Sequence, residues 1–266
     1  MRKKLYLLLL VLLMVVVAAG CGSQQTAGSG ENNTPADNST PAKVFSYAMS
    51  GAYRPFNFFN EQNELTGFDV EIGKALAAKM GLEPKPIATP WQGLIEGLKA
   101  KRYDAIIGSM TITDKRLQEV NFSDPYYISG AQLFVRPDSP VTSLEDLNKE
   151  TKIGVTIATV YEEEARKYSD SIKTYDSDIT ALRDLANNRL DAVITDRFVG
   201  KIAIQESKLA IKPVGDLIFV ERIGIAIRKG DDELLAQVNN ALKAIKDDGT
   251  YLQISKKYFD EDISKE

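Results

Sequence analysis

Residues 103–116 hold the side chains best suited to chemistry with a small anion, in the run Tyr103-Asp104-Ala105-Ile106-Ile107-Gly108-Ser109-Met110-Thr111-Ile112-Thr113-Asp114-Lys115-Arg116. Arg116 presents a planar fork of N–H donors that matches a carboxylate. Ser109, Thr111 and Thr113 add hydroxyls, and Gly108 allows close approach to the backbone. A second polar elbow, Thr195-Asp196-Arg197, offers a carboxylate. An arginine facing an aspartate across a cleft matches a zwitterion. Alone, the first run reads equally well as a strand-to-helix turn with a solvated arginine.

These groups need elements to hold them. The apolar core at residues 105–107 predicts a short buried strand, and Thr113 caps a short helix with Arg116 in its first turn. The same design recurs. Ile95-x-x-Leu98-x-x-x-Arg102-x-Asp104-Ala105-Ile106-Ile107 is matched by Leu182-x-x-Leu185-x-x-x-Arg189-x-Asp191-Ala192-Val193-Ile194, 87 residues later (95 to 182). A helix thus feeds a buried strand twice, which predicts two similar α/β lobes rather than one long sheet.

The remaining pattern agrees. Residues 44–50 read as a strand, followed by the aromatic loop Ala52-Tyr53-Arg54-Pro55-Phe56-Asn57-Phe58-Phe59. Phe56 and Phe58 are expected to pack on the core, and Tyr53 to face a ligand. Phe68, Ile72, Ala75, Leu76 and Met80 mark one face of a helix that Gly81 stops. Thr89-Pro90 opens the next helix. Strands are expected at residues 132–136, 153–157 and 220–228, and helices at 159–168, 232–245 and 250–258. Thr159 falls at a helix start, where free backbone N–H groups favour an anion.

Composition narrows the chemistry. The 266-residue chain has no histidine and one cysteine, which excludes His-based triads, disulfides and Cys-rich metal clusters. A net charge of −4 gives no footing for nucleic acid. No cofactor or metal is expected.

Arg2, Lys3 and Lys4 precede an apolar run at residues 5–19, then Ala18-Ala19-Gly20-Cys21. That is the layout of an export signal. With cysteine directly after the small residues, it resembles a bacterial lipoprotein signal, in which Cys21 becomes the lipidated first residue. The alternative is a transmembrane anchor with an incidental cysteine, though about fifteen apolar residues are short for a span. Residues 22–42 are Gln, Thr, Gly, Ser, Asn and Pro with almost nothing apolar, and predict a flexible tether.

Several runs, taken in order over residues 43–260, resemble the extracellular solute-binding proteins of polar amino acid ABC importers, family 3. They are Tyr53-Arg54-Pro55-Phe56, Gly67-Phe68-Asp69-Val70, Trp91-Gln92-Gly93-Leu94-Ile95, Met110-Thr111-Ile112-Thr113-Asp114-Lys115-Arg116, Phe122-Ser123-Asp124-Pro125-Tyr126-Tyr127 and Asp248-Gly249-Thr250-Tyr251. The resemblance implies a type II periplasmic-binding-protein-like α/β fold. Lobe 1 would be 43–127 plus 228–266 and lobe 2 would be 128–227, with crossings near 127–130 and 223–228. It implies that Arg116 holds the ligand carboxylate with Thr111 and the Ser109 backbone, and that Asp196 receives the ammonium. Tyr53 and Trp91 would wall the side-chain pocket, and Thr159 would add a carboxylate contact. Implied partners are an amino acid and ABC importer permease subunits, with the membrane reached through the lipid anchor.

Two positions depart from the family pattern. Ser50 stands where relatives for cationic amino acids and glutamine carry aspartate, which removes a counter-charge. Ala158-Thr159-Val160, followed by Tyr161, stands where many relatives read Gly-Thr-Thr. Selectivity is therefore expected from Ser50, Tyr53, Trp91 and Tyr161, with Gly108 beside them. Two other functions fit the same architecture. One is a cyclohexadienyl dehydratase-like enzyme, which would need a general acid, with 162–164 the nearby candidates. The other is an amino acid sensor module acting through a partner.

Overall fold

The computed structural model describes residues 43–265. The first lobe opens with β1 (Val44–Met49) and a small antiparallel sheet of β2 (Ala52–Tyr53), β3 (Asn57–Phe59) and β4 (Leu65–Thr66). Then come α1 (Phe68–Met80), β5 (Glu83–Ala88), α2 (Leu94–Lys99), β6 (Ala105–Thr111), α3 (Asp114–Glu119) and β7 (Val120–Phe122). Helix α1 forms because Phe68, Ile72 and Leu76 share one buried face. It ends because Gly81 takes the left-handed conformation that other residues resist. The start expected at Thr89-Pro90 is a single tight 3-10 turn, Trp91–Gly93, before α2 proper.

The chain leaves on β8 (Tyr127–Val135) and builds the second lobe from β9 (Ile153–Thr156), α4 (Val160–Tyr168), β10 (Ile172–Tyr175), α5 (Asp178–Ala186), β11 (Ala192–Asp196) and α6 (Arg197–Gln205). It returns on β12 (Lys212–Arg228), far longer than the nine residues read from the sequence, and closes with α7 (Asp232–Asp247) and α8 (Thr250–Phe259) against α1.

The strand order is β10-β9-β11-β8-β12-β6-β1-β5, with β7 beside β12. Strands β9, β10 and β11 are parallel in one lobe, and β1, β5 and β6 are parallel in the other. Hydrogen bonding nonetheless continues from lobe to lobe, because β8 and β12 cross together and pair with each other, Tyr127 opposite Ile223 and Ala131 opposite Phe219. Beyond Ile223, β12 pairs with β6 and β7 of the first lobe, its register shifting between Gly224 and Ala226. The fold is a two-lobed type II periplasmic-binding-protein architecture with crossover strands.

An aromatic seam fixes the loop that carries Tyr53. Phe56 is fully buried, stacked on Tyr53 at 5.2 Å and on Tyr127 at 4.9 Å. Phe68 and Phe259 flank it at ring distances where edge and face contacts are favourable, and Tyr126 stacks on Phe68 in turn. Residues 1–42, with the apolar run, Cys21 and the tether, lie outside the described residues.

Candidate functional site

The duplicated helix–strand units place their polar ends at the boundary between the lobes. In the first, β6 ends at Thr111, and Thr113 caps α3 by accepting the Arg116 backbone N–H at 3.2 Å. Arg116 therefore stands in the first turn of a helix anchored to the end of β6. One guanidinium nitrogen donates to the Thr111 carbonyl at 2.8 Å, and the guanidinium lies 5.3 Å over the Trp91 ring. Burial pulls its pKa below the ordinary value, opposed by the Glu221 carboxylate.

In the second lobe, Thr159 caps α4. Its hydroxyl accepts the Glu162 N–H and donates to the Thr156 carbonyl at 2.6 Å. Ala158 just before it has φ of +59°, in the left-handed region. That turn presents its carbonyl to Trp91 Nε1, which donates to it at 3.0 Å across the cleft. Tyr53 and Tyr161 hydroxyls meet at 3.3 Å, and Lys115 pairs with Glu163 at 3.1 Å. The lobes are closed on one another.

Between them lies a cavity with about 490 Å³ of space continuous with solvent. From the first lobe it is bordered by Ser50, Tyr53, Trp91, Gly108, Ser109, Thr111 and Arg116. The second lobe contributes Thr159 and Tyr161, together with Thr156, Asp176 and Asp178, which sequence reasoning had not selected. Such a concave, mixed polar and aromatic lining suits a small polar ligand.

Two residues of the expected site are committed inward. Ser109 donates its hydroxyl to Asp69 at 2.9 Å and its backbone N–H to the Tyr126 hydroxyl at 3.0 Å. Asp196 does not border the cavity. It is fully buried at the end of β11, where Oδ1 caps α6 by accepting the Phe198 and Val199 N–H groups at 2.7 and 3.3 Å. Its Oδ2 is buried without a hydrogen-bond partner among the described residues. Burial raises its pKa.

Glu221 is a further residue that sequence reasoning missed. It is 1% exposed, on β12, and accepts from the Thr111 hydroxyl at 2.7 Å and the Tyr161 hydroxyl at 2.8 Å. Burial raises its pKa, and the nearby Asp196 carboxylate raises it further. The available signal was an acid directly after the apolar run Leu217-Ile218-Phe219-Val220 and shortly before the apolar stretch at residues 223–227. The acids considered for an enzyme are engaged elsewhere. Glu162 bonds the Ala158 N–H and Arg166, Glu163 bonds Lys115, and Glu164 bonds Lys167. Among the described residues, no group of three His, Cys, Asp or Glu side chains is arranged to hold a metal.

Residues 45–261 match the family of bacterial extracellular solute-binding proteins, family 3. The chain belongs to this family. Among its family 3 relatives is the L-cystine-binding protein TcyJ of Escherichia coli K12, 35% identical over 221 residues, covering 82% of this chain and 83% of that protein. The ABC transporter arginine-binding protein 1 of the same strain is 35% identical over 224 residues, covering 82% of this chain and 91% of that protein. Among solved structures, the ancestral amino acid-binding protein AncCDT-1, a precursor of cyclohexadienyl dehydratase, superposes with a TM-score of 0.76. It is 37% identical and covers 81% of this chain and 95% of its own. As a family 3 member, the protein is an extracytoplasmic solute-binding protein.

Proposed function

We propose that the protein captures a polar L-amino acid between its lobes by hinge closure and delivers it to the permease of an ABC importer. The observation that carries this reading is the pairing of opposite needs around one cavity. On one side, Arg116 is partly desolvated, with only a carbonyl as hydrogen-bond partner among the described residues. Opposite it, Asp178 borders the same cavity, and the buried acids Asp196 and Glu221 lie behind its wall, close to Tyr53. A zwitterion answers both, its carboxylate at Arg116 and the start of α4, its ammonium at Asp196. Relatives named for cystine and arginine binding support an amino acid.

In this reading the lobes are residues 43–127 plus 228–266 and residues 128–227, and the paired crossing strands are the hinge. Each open lobe holds half of the site, so a ligand that touches both favours closure by its differential affinity. Tyr53 and Trp91 wall the side-chain pocket, Thr111 and Thr159 border the carboxylate, and Tyr161 with Glu221 ties the closed lobes to the hinge. Cys21 carries a lipid that anchors the protein to the outer face of the plasma membrane or within the periplasm. Residues 22–42 act as the tether.

A thermal-shift screen against the common amino acids and cystine tests the ligand class, since a bound ligand raises the melting temperature with occupancy. At least one polar amino acid is expected to shift it. A panel with no shift removes the reading. Mass spectrometry of the membrane-associated protein tests the anchor, because an unmodified Cys21 there excludes lipidation.

A further inference from the structure

The cavity carries more negative charge than an α-amino acid with a neutral side chain can use. Among the described residues Arg116 is the only cation in its lining, while Asp176, in the turn after β10, and Asp178, the first residue of α5, enter from the other lobe. Neither aspartate makes an ion pair among the described residues. Asp178 is 3% exposed and accepts from the Thr195 hydroxyl at 2.6 Å. Beside it, Thr156 is 7% exposed, and its hydroxyl lies against the Asp178 carboxylate.

The opposite wall explains why this charge matters. Ser50 sits after β1 and donates its hydroxyl to Asn57 Oδ1 at 2.9 Å, so that wall is uncharged. Asp176 and Asp178 bring negative charge into the same cavity from the other lobe. If Asp196 takes the α-ammonium, a neutral side chain leaves Asp178 buried with hydroxyl partners but no counter-charge. That is unfavourable in a water-depleted site.

We propose that Asp178, with Asp176 at the rim and the Thr156 hydroxyl beside it, forms a subsite for a second cationic group on the ligand. This deepens the amino acid reading and rests on it. The shared chemistry is an ammonium or guanidinium some way from the α-carbon, which a basic side chain or a second amino-acid end both supply. Thr156 Oγ1 accepts one of its N–H groups, and Asp178 supplies the counter-charge.

Calorimetry on the full-length protein in detergent tests this with two matched pairs. L-lysine is compared with L-norleucine, and L-cystine with S-(ethylthio)-L-cysteine, which lacks the second amino-acid end. In at least one pair the cationic member is expected to bind ten times more tightly or better, and the pair that shows it identifies the source of the cation. Asp178→Asn is expected to cut that preference below threefold while changing the neutral member's affinity by less than threefold. Asp176→Asn is expected to lower the preference partly, and Asp178→Glu to retain most of it. If Asp178→Asn does not fold, the preference in the native protein and its partial loss in Asp176→Asn decide, and an unchanged preference in Asp176→Asn overturns the subsite. Equal affinities within both pairs overturn the subsite and leave the amino acid reading standing. Equal weakening of both members by Asp178→Asn overturns it too, because Asp178 then serves the common α-ammonium. If no amino acid binds at all, both readings fall together.

Discussion

Tyr161, in the first turn of α4, donates its hydroxyl to Glu221 Oε2 at 2.8 Å, bonding a helix of the second lobe to a strand that crosses between lobes. The other Glu221 oxygen accepts from Thr111 of the first lobe. One buried carboxylate therefore joins both lobes at the crossing, and closure is registered there.

Arg116→Ala should weaken amino acid binding by about 2–5 kcal/mol, the range for removing one partner of a buried charge pair. Arg116→Lys should recover only part, because an ammonium lacks the fork. Calorimetry measures both, and an unchanged affinity in Arg116→Ala would remove the carboxylate from this position.

Asp196 has two roles that substitutions separate. Asparagine caps a helix about as well as aspartate, so Asp196→Asn should leave the melting temperature nearly unchanged while weakening binding by about 2 kcal/mol or more. Asp196→Ala should lose a further ~1 kcal/mol of stability with the cap. Melting curves and titrations on the two variants check this. Equal affinities in Asp196→Asn and the native protein would refute the ammonium assignment.

Tyr161→Phe takes a donor from Glu221 and a partner from Tyr53. The predicted loss of stability is about 1–3 kcal/mol, the cost of leaving a buried acceptor unsatisfied. Urea unfolding at neutral pH measures it. No loss would mean that water replaces the hydroxyl.

Asp69 predicts a pH dependence. Burial raises its carboxyl to about 6, against opposing hydrogen bonds from Tyr126, Asn57 and Ser109. The folded protein thus holds this proton more tightly than the unfolded chain, whose carboxyl titrates near 4. Its contribution to stability is fully present below about pH 4 and is lost as pH rises through about 6. The two-unit shift is worth about 3 kcal/mol. Asp69→Asn should flatten the difference in unfolding free energy over this window, and an unaltered slope would count against the assignment.

Gly200 on α6 faces Phe134 so closely that a Cβ would lie 1.9 Å from its ring. Gly200→Ala should therefore destabilise the protein by about 1–3 kcal/mol through overpacking, despite alanine's better helix propensity. Differential scanning calorimetry checks it, and a rise in melting temperature would contradict the packing.

What the sequence determined by itself was local and periodic. The face of α1, the Gly81 stop, the Thr113 cap with Arg116 in the first turn, and the twice-used helix–strand unit depend on residues close in the chain. Their spacing alone states them. Helix α6 was not legible, because Arg197 to Gln205 gives no strong stop or start except Asp196, which looked like a ligand residue. Only the fold shows one of its oxygens bonded to Phe198 and Val199. The length of β12 was likewise hidden, since its first half pairs with β8 across a large sequence separation. Glu221 looked like one acid among many until the crossing strands buried it between Thr111 and Tyr161. Charge in a cleft depends on which distant segments converge, and no spacing encodes it. That is why Ser50 suggested an uncharged pocket, while the tertiary structure brought Asp176 and Asp178 to the same cavity from the other lobe.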